Sequence, residues 1–409
     1  MDRYRNRLID PLLDEVMAAQ SAVMLVGPRA AGKTTTAIRR STTVVRLDRA
    51  AEAGAFIADP DAALRGLAEP VLIDEWQEVP GVLGAVKRSV DEDPRPGRFV
   101  ITGSVRGDLS GETWPGTGRV VRITLQGMSM REQIGRTSGS AFFDRIVEDA
   151  PVETPADPPD LRGYIELALR SGFPSALSQE PTAREGWLES YVDQLITRDA
   201  VELGQLRDPA KLRRYVDAAA VNAAGFVSEQ TILDATGLDR RTAGAYERLL
   251  SDLFVLEAIP AWSSNRLQRL VRGPKRYFVD PGLVAAVLRA DVDTVMRDSD
   301  LLGRLIDTFV LSQLRAEQAV TRCRPVFHHL REQQGRHEID LVAEIRGRRV
   351  IACEIKASAS PSRSDARHLA WLRDKIDDRF VLGVVFHTGP SVFTLDERIV
   401  AVPIASLWA

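Results

Sequence analysis

The sequence predicts an α/β chain in three parts: an amino-terminal parallel sheet, a helical middle and a carboxy-terminal mixed α/β unit. Three observations predict it. With 409 residues the chain is long enough for about two to four domains, each burying its own core. Short apolar runs alternate with helical or loop sequence up to about residue 101. A second set of apolar runs begins only after Leu301, beyond a long stretch of periodic leucine and alanine.

The elements follow in order. Residues 1–20 read as an amphipathic helix, with Leu8, Leu12, Leu13 and Val16 at helical spacing. Residues 21–26 form an apolar run of the kind a buried parallel strand needs, and similar runs lie at 43–47, 70–73 and 98–101. Strands alternating with helices argue for a parallel sheet covered on both faces. Residues 136–160, with Pro151, Pro155, Pro158 and Pro159 among acids, read as a linker between residues 1–135 and the rest. Residues 161–297 form the helical, winged-helix-like middle, with strand-like pieces at 254–260 and 276–279. Residues 298–409 hold a helix at 301–313 and strands at 339–345, 349–355, 380–386 and 399–404.

Composition excludes several classes. The formal net charge of −3 is too acidic for binding nucleic acid by bulk electrostatics, so any DNA contact needs a local patch. No apolar run of about 18 residues is present, so no membrane helix is expected, and the mixed start of the chain does not read as a signal peptide. Cys323 and Cys353 cannot build a disulfide framework and form no CxxC pair. All five histidines lie from His328 onward, so histidine chemistry is absent from the amino-terminal part. The cytoplasm is the expected compartment. Only six of the 54 basic residues are lysine, so a lysine in a motif position carries more information than usual.

Lys33 stands in such a position. Gly27-Pro28-Arg29-Ala30-Ala31-Gly32-Lys33-Thr34 fits G-x-x-x-x-G-K-[ST], after an expected strand and before an expected helix. Backbone N–H groups of such a loop turn inward on phosphate oxygens, and the helix adds its positive end. Lys33 would reach the β- and γ-phosphates of ATP, and the Thr34 hydroxyl would bind Mg²⁺. Residues 71–75 supply the acid a phosphate loop needs: Asp74 would hold the metal and Glu75 would polarise the attacking water. Thr102, at the tip of the strand before Gly103-Ser104, could sense the γ-phosphate, or simply belong to a Thr-Gly-Ser turn. Arg119 offers a cation to the γ-phosphate of this or a neighbouring subunit; the competing reading is ordinary surface charge.

These residues carry a resemblance. The loop, Leu47-Asp48, Asp74-Glu75-Trp76-Gln77-Glu78-Val79-Pro80, Thr102-Gly103-Ser104 and Gly118-Arg119 resemble the prokaryotic AAA-like ATPases, and more narrowly those with a carboxy-terminal DUF4143 domain. The likeness continues through Gly172-Phe173-Pro174, Tyr191, Arg198-Asp199 and the run from Lys275 to Leu283. It departs at Gln126-Gly127-Met128-Ser129, where the family usually has Pro-Leu-Ser.

In the middle part, residues 226–250 read as a helix, a glycine turn and a second helix capped by Asp239. Arg240, Arg241, Thr242 and Tyr246 fall where a helix-turn-helix presents groove-reading residues, and Arg272 and Lys275 lie in a basic stretch suited to a wing near DNA phosphates. The same helices also serve as plain scaffold. In the last part, adjacent strands would bring Asp340, Glu354 and Lys356 to one edge, where two carboxylates hold a metal and the lysine positions water. That pattern resembles the PD-(D/E)xK nuclease core, whose usual helix glutamate appears here as Asp307. Solvated charges on an edge-strand pair, and a nuclease-like fold without cleavage, are the alternatives.

The expected activity is ATP binding with Mg²⁺-dependent hydrolysis, coupled to a partner of the carboxy-terminal half, with DNA, a protein or a second copy of the chain as the candidates. An ATP-regulated DNA nuclease and a nucleotide-switched interaction module are the other readings.

Overall fold

A computed structural model describes residues 4–104, 117–199, 208–265, 273–332 and 336–409. The chain divides into two compact units: Met1–Met128 with Ser251–Phe254, and Ser129–Leu250 with Val255–Ala409.

The first unit is built on five parallel strands, β1 (Ala22–Val26), β2 (Thr43–Arg46), β3 (Val71–Asp74), β4 (Phe99–Gly103) and β5 (Val120–Thr124), in the order β2-β3-β4-β1-β5. Every residue of the three central strands is buried, as an uninterrupted apolar run requires when both faces are covered. The edge strands β2 and β5 are only partly buried and carry Thr43, Arg46, Arg122 and Thr124. That polarity hides β5 in the sequence. Met24, Ile73, Ile101, Trp76, Val82 and Val86 belong to the core beside the sheet.

The second unit joins a helical part to a mixed sheet. A hairpin of β6 (Leu256–Ile259) and β7 (Lys275–Phe278) follows the helices Pro209–Val221, Glu229–Thr236 and Arg240–Asp252, with Gly237 turning the chain between the last two. The sheet holds β8 (Val326–Glu332), β9 (His337–Glu344), β10 (Val350–Ile355), β11 (Phe380–His387), β12 (Phe393–Asp396) and β13 (Ile399–Pro403), in the order β12-β13-β11-β10-β9-β8. Pairing is antiparallel for β8–β9, β9–β10 and β12–β13, and parallel for β10–β11 and β11–β13. A parallel step needs a crossover, and the helix Arg367–Ile376 supplies it between β10 and β11. The helix Ser299–Gln318 packs on β10 and on the helix Leu161–Leu169, so contacts cross the expected boundary at 297/298 within this unit.

Residues 136–160 are not a free linker throughout. The helix Phe142–Val147 sits on the mixed sheet, the Phe142 ring 5.3 Å from Phe386 and the Phe143 ring 5.9 Å from Phe327. Two phenylalanines outweigh the surrounding prolines and acids. Just before it, Arg131 forms an ion pair with Glu317 at 2.6 Å, both buried, and Glu317 also accepts from the Phe142 N–H. Arg131→Ala should destabilise the chain by about 3–5 kcal/mol, because Glu317 loses its buried partner. Urea unfolding measures it, and a change under about 1 kcal/mol would mean that the pair is dispensable.

No helix among the described residues is long and apolar enough to cross a membrane.

Candidate functional site

The loop between β1 and the helix Lys33–Ile38 is shaped by its glycines. A Cβ on Gly27 would lie 2.1 Å from the Leu125 carbonyl oxygen, so the strand exit and the segment after β5 approach as only glycine allows. Arg7, buried, donates to the Ala31 carbonyl at 2.7 Å and to the Gln126 carbonyl at 2.8 Å, tying the loop to that same segment. Nothing in the sequence distinguishes Arg7 from the other arginines, so its bracing role has no signal there.

Lys33 opens the helix and is buried, with Nζ donating to the carbonyls of Gly27 at 3.0 Å and Pro28 at 2.8 Å. Burial lowers its pKa to about 8 against the pull of Glu75 and Asp74. Asp74 ends β3 and accepts hydrogen bonds on one oxygen from Thr34 Oγ1, at 2.8 Å, and from Thr102 Oγ1. Strand order explains the meeting: β4, which carries Thr102, lies between β1 and β3.

Glu75 sits just past the strand at φ 54°, a left-handed conformation that costs a non-glycine residue of order 1–3 kcal/mol. Its carboxylate accepts from Gln77 Nε2 and, at 3.3 Å, from Ser104 Oγ. A Cβ on Gly103 would lie 2.4 Å from Trp76 Nε1, so the strand tip packs against a rigid, buried indole. Gly103→Ala should therefore cost about 1–3 kcal/mol of stability by overpacking and also depress turnover, since Thr102 and Ser104 flank it. Thermal unfolding and phosphate release read the two effects; a variant unchanged in both would mean that Trp76 yields freely.

Arg119 lies elsewhere in the unit. It precedes Val120, which pairs with Ala22, whereas Thr124 at the far end of β5 pairs with Val26 beside the loop. Four residue rises, about 13 Å, separate those ends. Arg119 instead pairs with Asp91 at 2.9 Å, half exposed. Within one chain it does not face the phosphate loop.

Two of the expected DNA-contact residues are exposed on the second helix of the helix–turn–helix, whose Asp239 cap accepts from the Thr242 N–H at 3.0 Å. Of these, Arg240 pairs with Glu229 at 2.8 Å, and Arg241 is its exposed neighbour. Tyr246 is buried against Tyr215 and cannot read a groove. Lys275 is a correction: it is 1% exposed and unavailable to a DNA phosphate. Arg272 lies outside the described residues.

The mixed sheet does gather Asp307, Asp340, Glu354 and Lys356. The β9–β10 register, Cys353 opposite Leu341, puts Glu354 opposite Asp340 at the next step, on one face. Lys356 Nζ donates to Glu354 Oε2 at 2.9 Å, and the Ile355 N–H donates to Asp340 Oδ2 at 3.1 Å. Lys275 completes the group, donating to Asp307 Oδ2 and to Asp340 Oδ1, each at 3.0 Å. Burial and then Asp340 raise the Asp307 pKa to about 7, and the same two causes hold Glu354 well above its ordinary value. Burial opposes the charge on Lys275, but Asp307 and Asp340 more than offset it and raise its pKa. Among the described residues no three His, Cys, Asp or Glu side chains are grouped to hold a metal ion.

A phosphate loop on a five-stranded parallel sheet, its threonine bonded to an aspartate two strands away, defines the class: a P-loop ATPase. The AAA domain family matches residues 19–134, and two domains of unknown function, DUF8612 and DUF4143, match residues 161–294 and 302–407. The uncharacterised proteins Mb2031c of Mycobacterium bovis and Rv2008c of Mycobacterium tuberculosis are each 30% identical over 388 residues, covering 93% of this chain and 79% of the relative. The chain belongs with them to the family of AAA-domain P-loop ATPases carrying a carboxy-terminal DUF4143 domain. Among solved structures, a Walker-type ATPase of Pyrococcus abyssi is similar at 16% identity and a TM-score of 0.42, over 71% of this chain and 99% of that one.

Proposed function

We propose that the amino-terminal unit hydrolyses ATP in a Mg²⁺-dependent reaction and that the nucleotide state is transmitted to a partner of the carboxy-terminal half. One observation carries the reading: the Thr34 and Thr102 hydroxyls converge on one oxygen of Asp74, in a unit whose phosphate loop buries Lys33. The donor set fits the group the family implies. Thr34 and Asp74 would hold Mg²⁺, which supplies charge neutralisation at the transferring phosphoryl group. Lys33 exchanges the Gly27 and Pro28 carbonyls for phosphate oxygens, a trade that favours its charged form. Glu75, aimed by Gln77 and Ser104, takes the proton of the attacking water. Thr102 fixes the carboxylate of Asp74.

Exposed Arg240 and Arg241 support DNA as the partner, while Glu229, paired with Arg240, weighs toward a protein or a second copy of the chain. Phosphate release from Mg²⁺-ATP by the purified chain, with and without DNA, tests both halves of the reading. No turnover under either condition leaves a nucleotide-switched module; turnover unaffected by DNA removes DNA from the coupling.

Arg119 enters only across a subunit boundary. Arg119→Ala should keep the turnover of a monomeric preparation within about twofold, whereas a loss of about 10³-fold in an assembled one would make it a finger on a neighbouring subunit's nucleotide.

A further inference from the structure

The carboxylate cluster of the mixed sheet already holds a cation, and that cation is a side chain. Lys275 Nζ is 3.0 Å from Asp307 Oδ2 and 3.0 Å from Asp340 Oδ1, bridging the helix Ser299–Gln318 and β9. The second oxygen of Asp340 is taken by the Ile355 N–H, and Glu354 Oε2 by Lys356. Among the described residues, Glu354 Oε1 is the buried oxygen of this cluster that has no hydrogen-bond partner.

The surroundings suit an ammonium and not a hydrated metal. The Phe226 and Tyr277 rings stand 4.9 and 5.3 Å from Lys275 Nζ, close enough for cation–π attraction. Mg²⁺ sheds its waters reluctantly and would need room for them. Charge balance points the same way. Two lysines already stand among the three carboxyl groups, Lys275 on Asp307 and Asp340 and Lys356 on Glu354. A further positive charge beside Lys275 would be repelled by its ammonium.

We propose that the Lys275 ammonium is the resident cation of this cluster, occupying the place between Asp307 and Asp340 that a divalent metal would need, so that the carboxy-terminal domain does not cleave phosphodiesters and carries a latent metal site exposed only when Lys275 is removed. Lys275 comes from the region matched by DUF8612 and its two acids from the region matched by DUF4143, so the pairing also locks those segments together. The inference is independent of the phosphate-loop reading.

The test is Mn²⁺ binding to the full chain, followed by electron paramagnetic resonance without nucleotide, in a Thr34→Ala/Asp74→Ala background that silences the phosphate loop. With Lys275 present no Mn²⁺ should bind at the cluster. Adding Lys275→Met should create a stoichiometric site that Asp340→Asn abolishes, and Mn²⁺ should raise the melting temperature of that variant alone. Binding to the chain that retains Lys275, lost on Asp340→Asn, would overturn the proposal, as would a folded Lys275→Met that takes up no Mn²⁺. Should Lys275→Met fail to fold, Lys275→Met/Asp307→Asn restores the charge balance and keeps Asp340 opposite Glu354. Mn²⁺ bound by that variant supports the proposal; none bound overturns the latent site.

Discussion

Glu75→Gln binds ATP as the unaltered chain does and hydrolyses it about 10²–10⁴-fold more slowly, the usual cost of losing a general base. The substitution keeps shape and length. Its remaining oxygen still accepts from Gln77 or Ser104, and the left-handed backbone at φ 54° suits glutamine no worse than glutamate. Thr34 and Asp74 are untouched, so the groups that would hold the metal keep their geometry. Only the carboxylate that accepts the water's proton is gone. Titration with a fluorescent ATP analogue and a phosphate-release assay separate binding from chemistry. A variant that no longer binds nucleotide makes Glu75 a structural residue of the turn. One that binds and turns over normally places the base elsewhere.

What the sequence made legible divides along physical lines. The phosphate loop and the Asp74-Glu75 pair could be read because their chemistry needs fixed residue types at fixed local spacing, and the central strands because burial on both faces demands an unbroken apolar run. Asp340, Glu354 and Lys356 could be placed together because strand period and antiparallel pairing are local rules. Lys275 could not. Its neighbours Arg272 and Arg276 made it look like one more wing cation, yet the register of β7 on β6 turns Lys275 and Tyr277 inward. The period-two placement of Lys275 with Tyr277 was the available signal, and basic density masked it. Within its own chain Arg119 stands away from the loop for a related reason: a motif fixes order along the chain, whereas the direction of β5 decides which end of the sheet the residue reaches. The helix Phe142–Val147 was hidden by prolines and acids, because only the far partners Phe327 and Phe386 make its two phenylalanines a core.

Lys33→Ala abolishes ATP binding at physiological concentrations and leaves a folded chain that is at least as stable as the original without nucleotide. The two effects share one cause. Burial lowers the Lys33 pKa to about 8, from about 10.5 in an exposed chain, so below pH 8 the nucleotide-free fold bears the cost of a charge taken out of water. At about 1.36 kcal/mol per unit that cost is about 3 kcal/mol, offset in part by the bonds to Gly27 and Pro28. The folded chain binds fewer protons here than the unfolded one between pH 8 and 10.5, so this contribution to stability rises with pH in that window. Alanine removes the charge and the cost together. ATP reverses the balance: its phosphates favour the ammonium, and truncating a buried charge partner costs about 2–5 kcal/mol of binding. The nucleotide-free chain holds Lys33 about half protonated near pH 8, so ATP binding should take up a proton there and weaken at higher pH. Calorimetry in buffers of different ionisation enthalpy reads that proton directly. An affinity independent of pH from about 7 to 9.5, or a variant that still binds ATP, would remove Lys33 from the phosphate site.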